Sequence, residues 1–229
     1  MKTLFLFDSN GRMLKLQDKI LYWLIIVFFI SLFIPRVPVA SNILLGCLLL
    51  FSFFYTKLQL KWQLLKERPF ILLMIAYYLL HVISLLWSAD KQEAAAQLAI
   101  RLPVFILPLA VGTLLIEEEL KDRLLLGIVL VTTILAVISL GLSFSQYSQT
   151  GNSGYLYNDS LTVHFRLQSI YMAMLVNLVI TGIFYLLHRK TLVQPLQGLL
   201  YLSLIILFTY HFLLASRSAM LLLYGGLFV

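Results

Sequence analysis

The sequence predicts an all-α, polytopic integral membrane protein, and three observations lead there. Of 229 residues, 61% are hydrophobic and only 12% charged, whereas soluble domains run about half apolar and about a quarter charged. Apolar runs of 15 to 21 residues recur along the chain, close to the roughly 20 helical residues that cross a hydrocarbon core about 30 Å thick. These runs are continuous rather than alternating, which excludes the strands of a membrane barrel and leaves helices.

Residues 1–19 are mixed and basic and lead into the apolar run 20–34. A signal peptide has the same shape. Pro35-Arg36-Val37-Pro38 is a poor small-residue cleavage site, however, and further runs follow at once, so the first run reads as a retained span. Seven spans are expected at 20–34, 39–55, 70–87, 102–116, 124–144, 167–187 and 196–215, in a single transmembrane domain covering 1–229. An eighth starts at Ala219; the 11 residues to Val229 rise only about 16 Å as a helix, about half of the core. The chain therefore reads as truncated within that span.

The basic residues give the orientation. Twelve fall on one side: four between 2 and 19, four between 57 and 68, two at 121 and 123, and two at 189 and 190. Five fall on the other: Arg36, Lys91, Arg101, Arg166 and Arg217. Basic residues gather on the cytoplasmic side, so the N-terminus is expected inside. This distribution also accounts for the net charge of +7 without nucleic acid. Cys47, the single cysteine, excludes an internal disulfide and reads as a small packing residue.

The connections differ in kind. Glu117 with Lys121 and Glu119 with Arg123 stand acid-first at i,i+4, the favourable order for a solvated helical turn. Residues 146–160 are rich in Ser, Gly, Asn and Tyr and read as a flexible outer loop. Asp90, followed three residues on by Glu93, has the pattern of a capping box opening a short surface helix over 94–101.

No phosphate-binding glycine loop, paired-cysteine metal site or Gly-x-Ser-x-Gly elbow occurs. Cationic and hydrogen-bonding groups instead gather at the outer span ends. Arg217 is flanked only by Ser216 and Ser218 before apolar residues resume. Such an arginine either snorkels to the interface or clamps an anion. Tyr210, seven residues earlier, is expected to share its face, with His211 on the adjacent one. His164, Gln168 and Tyr171 stand at i, i+4 and i+7, on one face if the sixth helix starts near His164. They form either a site edge, with Arg166 beside it, or an ordinary interfacial belt. Arg101 precedes Pro103 at the opening of the fourth span, with Pro108 farther in. His81, well inside a span, reads first as a packing contact and second as part of a proton path.

Ser84-Leu85-Leu86-Trp87-Ser88-Ala89-Asp90, then Arg101-Leu102-Pro103 with Pro108 beyond, resembles the N-terminal half of the O-antigen ligase and polymerase family. His164-Phe165-Arg166-Leu167-Gln168-Ser169-Ile170-Tyr171 and Ser216-Arg217-Ser218-Ala219 resemble that family's successive outer-face elements, in the same order. The likeness runs from about Ser84 to the C-terminus. It implies a glycan transferase of the cell envelope, acting at the outer side of the bacterial cytoplasmic membrane in lipopolysaccharide or polysaccharide biosynthesis. The implied donor is an oligo- or polysaccharide on undecaprenyl diphosphate. The implied acceptor is lipid A–core for a ligase, or another carrier-linked glycan for a polymerase, with no metal or other cofactor. Arg101, Arg166 and Arg217 are then the donor-diphosphate ligands, Arg217 falling on the family's Ser-Arg position. His164, Gln168, Tyr171, Tyr210 and His211 edge the site. The family assigns its catalytic groups to a large outer segment later in the chain, so none is assigned here.

The chemistry suits such arginines. Breaking the sugar–diphosphate bond develops negative charge on the leaving phosphate. Fixed cations that hold it more tightly as the charge grows lower the barrier, while the acceptor hydroxyl needs a general base. Two other readings stand beside this one. One is a transporter or flippase for an anionic substrate, which requires charged groups along a path through several spans. The other is an inactive membrane fragment. The predicted orientation places a reporter fused at Thr150 outside and one at Gln194 in the cytoplasm; the reverse readings would refute it.

Overall fold

A computed structural model describes residues 15–34, 38–165, 167–189 and 194–227. Among them all regular structure is helical and no strand occurs. Among the described residues five helices are long and apolar enough to cross a membrane: Pro69–Trp87, Lys91–Ala110, Glu118–Thr150, Ser169–Arg189 and Leu196–Leu213. A sixth crossing is available if the bent pair Ala40–Tyr55 and Leu58–Glu67 is one span. The chain falls into two compact units, Met1–Ser31 with Val37–Glu117, and Leu32–Arg36 with Glu118–Val229.

The first unit holds α1 (Leu16–Ser31), α2 (Pro38–Tyr55), α3 (Leu58–Glu67), α4 (Pro69–Ser84) and α5 (Lys91–Ala110). Helix α1 packs on α2, and α5 packs on both α2 and α4. Leu21, Tyr22, Ile26 and Phe28 form the buried face of α1, and the Tyr55 hydroxyl donates to Asp18 Oδ1 at 2.7 Å. Asp90 caps α5, its carboxylate accepting from the backbone N–H groups of Gln92 and Glu93, both at 3.0 Å. The short helix expected over 94–101 is not separate: α5 runs unbroken through Pro103 to Ala110. Proline in the first turns removes no needed donor, but by Pro103 the helix is already established and the ring is accommodated inside it.

At the far end of α5 the Arg68 guanidinium donates to the Gly112 carbonyl at 2.6 Å. A Cβ on Gly112 would lie 2.5 Å from the Pro108 carbonyl oxygen and 2.9 Å from Ile71 Cδ1, so only glycine fits. Outward, Leu50, Phe54, Leu73, Leu80 and Trp87 are exposed, more apolar surface than a soluble monomer shows and the surface expected against lipid. Cys47 belongs to that outer surface and is not the packing residue expected, because its neighbour Leu48 takes the inward position.

The second unit holds α6 (Glu118–Thr150), the one-turn α7 (Asp159–Thr162), α8 (Ser169–Arg189), α9 (Gln194–Leu213) and α10 (Arg217–Leu227). Helices α6, α8 and α9 pack pairwise, and α10 rests on α8. The inward face of α8 carries Met172, Ala173, Val176, Val179, Ile180, Ile183 and Leu186, the three-and-four spacing of a helix buried along one side. At one end, Arg189 Nη1 lies 2.6 Å from Glu118 and 3.2 Å from Asp122, tying α8 to the first turns of α6. Arg123 pairs with Glu119 at 2.6 Å as expected. Lys121 instead meets Glu118, and Glu117 meets Lys15 in the first unit. Helix α6 begins at Glu118, so the Glu117 side chain precedes the helix and lacks the i,i+4 geometry.

Helix α6 has 33 residues, about 50 Å of rise, well beyond the expected span 124–144. It ends where Gly151, at φ +68°, takes the left-handed conformation that glycine adopts without cost. Its N–H reaches back to the Tyr147 carbonyl at 2.8 Å. The flexible loop expected over 146–160 is therefore helix as far as Thr150, and the remainder folds back. Leu161 and Thr162 are fully buried. The Ser139 hydroxyl donates to the Leu161 carbonyl at 2.5 Å, and the Tyr210 hydroxyl donates to Ser139 at 3.0 Å.

Lipid tails are as apolar as leucine, so helices in a membrane gain little from burying apolar faces, and polar ties and close packing hold them instead. Tyr210→Phe removes the outer bond of this relay and should cost about 1 kcal/mol. Ser139→Ala strands both the Leu161 carbonyl and the Tyr210 hydroxyl and should cost about 2 kcal/mol. Thermal unfolding of the detergent-solubilised chain reads both. A larger loss for Tyr210→Phe would contradict the relay.

Candidate functional site

The site lies at the end of the second unit where residues 151–165 meet α8 and the end of α9, followed by the corner between α9 and α10. Asn152 opens the segment as an Asx turn, its side chain accepting from the Gly154 N–H at 2.9 Å. The chain then passes through a 3-10 turn (Ser153–Leu156), α7, and a second 3-10 turn (Val163–Phe165).

Asn158 joins three elements. Its backbone sits at φ 57° and ψ −140°, a conformation costly for any residue with a Cβ. Its N–H caps α9 by donating to the Leu213 carbonyl at 3.1 Å. Its side-chain Oδ1 accepts from the Ser169 hydroxyl at 2.8 Å, and the neighbouring Asp159 carboxylate accepts from the Ser169 N–H at 2.7 Å. Two orphan groups of helix ends, a carbonyl of α9 and an amide of α8, are thus satisfied by one dipeptide. The hydrogen bond from the Ser169 amide holds the Asp159 carboxyl below the usual carboxylate range. Thr162 adds a bond from its hydroxyl to the Leu167 carbonyl at 2.5 Å.

This capping changes the expected alignment of His164, Gln168 and Tyr171. Helix α8 starts at Ser169, not near His164, because Asp159 takes up the first amide there. His164 lies in the second 3-10 turn, with Nε2 buried and unbonded. Gln168 is exposed before the helix, and Tyr171 projects outward at 58% exposure. The three do not form one helical face.

Tyr210 and Arg217 are separated likewise. Helix α9 stops at Leu213, Ala215 turns the chain at φ +50°, and α10 begins at Arg217. Tyr210 is fully buried on Ser139, while Arg217 is exposed, so the shared face at seven-residue spacing is lost to the corner. His211 is 2% exposed and neither ring nitrogen has a hydrogen-bond partner. Arg101 is half-buried within α5 of the first unit. Arg166 lies outside the described residues.

Arg217 occupies the first turn of α10, whose outward N–H groups and dipole favour an anion. Helix α10 is anchored by Asn177 on α8, which donates to the Ala219 carbonyl at 2.7 Å. The arrangement offers a guanidinium on a fixed helix start, with the unbonded imidazoles of His164 and His211 elsewhere in the same unit. Among the described residues no three His, Cys, Asp or Glu side chains converge as metal ligands.

Ser139, Asn158, Asp159 and Ser169 were not singled out from the sequence. Asn158-Asp159-Ser160 is nonetheless a run of capping residues, the signal that a helix boundary depends on them. No family model, curated protein or solved structure matches the chain significantly.

Because its pKa is depressed in the folded protein, Asp159 contributes stability above the unfolded carboxylate pKa and loses it as pH falls through the folded value. Asp159→Asn should flatten the acid limb of a stability–pH profile below about pH 4 and leave the neutral region little changed. An unaltered acid limb would refute that role.

Proposed function

We propose that this chain forms part of a membrane glycan transferase of the O-antigen ligase or polymerase type. In this reading it moves an oligo- or polysaccharide from undecaprenyl diphosphate to an acceptor at the outer side of the bacterial cytoplasmic membrane. The observation that carries the reading is Arg217, exposed at the first turn of α10. A guanidinium binds phosphate oxygens bidentately, and the helix start adds N–H donors to the same anion.

The topology belongs to the proposal. With α1 and α2 counted as crossings beside the five longer helices, seven spans and the start of an eighth follow. The twelve-to-five distribution of basic residues supports an N-terminus in the cytoplasm. That orientation puts the Arg189–Glu118–Asp122 cluster inside and Arg217 outside, where a lipid-linked donor is presented.

As the glycosidic bond to the diphosphate breaks, charge accumulates on the departing phosphate. Arg217 gains most from contact at that point and so lowers the barrier rather than merely tightening binding. His164, Gln168, Tyr171, Tyr210 and His211 are retained as edge residues of this end, with Tyr210 acting through Ser139 on the segment's position. Arg166 is retained as a further donor ligand, while Arg101, in the first unit, is a donor contact only in what the resemblance implies. The transporter reading gains no support from His81, whose Nδ1 lies 3.0 Å from the Tyr77 carbonyl of its own helix.

Arg217→Ala in the full-length protein should lower transfer from a labelled undecaprenyl diphosphate glycan by about a hundredfold or more and leave membrane insertion intact. Arg217→Lys, which keeps charge but not the planar fork, should recover part of it. Undiminished transfer by Arg217→Ala would overturn the assignment.

A further inference from the structure

We propose that Lys61 is the anion-holding group of a lipid site in the first unit, occupied by an anionic phospholipid of the leaflet in which α3 lies. The reading is independent of the transferase assignment and rests on a buried cation that has no counter-ion among the described residues.

Helix α3 turns 107° away from α2 and carries Lys61 and Lys66, with Lys57 and Arg68 at its two ends and Glu67 as the one acid over 57–68. A short, amphipathic, cation-rich helix set across the direction of its neighbour has the character of one lying along the membrane interface. Lys57 and Lys66 are exposed. Lys61 is not: it is 5% exposed, covered by the protein itself. Its ammonium donates to the Ser52 hydroxyl at 2.7 Å and lies 4.5 Å from the centre of the Phe53 ring. Among the described residues it makes no ion pair. An ammonium has three donors and is costly to bury without an opposite charge. One hydroxyl and one ring face leave that charge uncompensated.

Lys61 lines a cavity of about 630 Å³, within the roughly 300–1,000 Å³ of small-molecule sites. Leu49, Phe53, Leu65, Leu109 and Trp62 make its walls almost wholly apolar. A free inorganic anion would satisfy Lys61 and leave this apolar volume unused. An uncharged hydrocarbon would fill the volume and leave Lys61 unpaired. A phospholipid with net negative charge meets both demands: its phosphate takes the two free donors of Lys61, and an acyl chain lies along the leucine and phenylalanine walls. The basic residues flanking Lys61 raise the local concentration of such lipids over zwitterionic ones.

Trp62 serves as the reporter. The full chain, with Trp23→Phe and Trp87→Phe to silence the other two indoles, is reconstituted in phosphatidylcholine bilayers. Phosphatidylglycerol brominated on its acyl chains is then titrated in, with brominated phosphatidylcholine as the comparison. Phosphatidylglycerol should quench Trp62 at markedly lower mole fraction than phosphatidylcholine. Lys61→Gln should weaken that preference about tenfold, the loss of one charge-assisted contact. Lys61→Arg should keep it, and Lys66→Gln, at the exposed position, should change it less than about twofold. Inorganic phosphate in the aqueous phase should not relieve the quenching. Equal quenching by the two lipids, an unchanged preference in Lys61→Gln, or relief by inorganic phosphate alone would each overturn the proposal. If Lys61→Gln fails to fold, the comparison of the two lipids on the chain with Lys61 intact decides it.

Discussion

A backbone carbonyl or amide facing hydrocarbon without a partner costs several kcal/mol, and the second unit is arranged around one place where the chain has to meet that demand away from a regular helix. Segment 151–168 brings Leu161 into the interior, and its carbonyl is met by Ser139, which is met in turn by Tyr210. Removing the relay would leave the fold-back of the segment without a reason to be there. Neighbouring bonds set where α8 starts and where α9 ends, because Asp159 and Asn158 supply the caps that those helices do not find in their own sequence.

The corner carrying Arg217 inherits its position from this arrangement. Leu213, whose carbonyl Asn158 caps, ends α9, and two residues later Ala215 adopts a left-handed conformation that costs an alanine about 1–2 kcal/mol. Backbone strain of this size persists where surrounding bonds overdetermine it. Here the surroundings are the Asn158 cap on one side and the Asn177–Ala219 bond on the other. The backbone at the start of α10 is thus held from both sides of the corner.

Hydropathy alone located the apolar segments, because burial in lipid imposes one requirement on about twenty residues at a time. The Asp90 cap was equally legible, its partners being two and three residues away. What escaped was every feature decided by a distant residue. The start of α8 is moved to Ser169 by an aspartate ten positions earlier, and no local pattern at His164, Gln168 or Tyr171 announces that. Tyr210 and Arg217 have helical spacing, but the break between them depends on a turn at an alanine, a residue that ordinarily continues a helix. Lys61 looked like one more cytoplasmic cation. Its burial arises from the sharp angle between α2 and α3, which brings Ser52 and Phe53 against it.

Helix α6 spans both polar ends of its unit without a proline. Near its start Glu118 and Asp122 engage Arg189, and twenty-one residues after Glu118 the same rod presents Ser139 to Leu161 and Tyr210. The two fastenings are therefore not independent. Rotation of α6 about its axis that suits one must also suit the other, so the helix acts as a key with two bits, and its azimuth is set once for the whole unit.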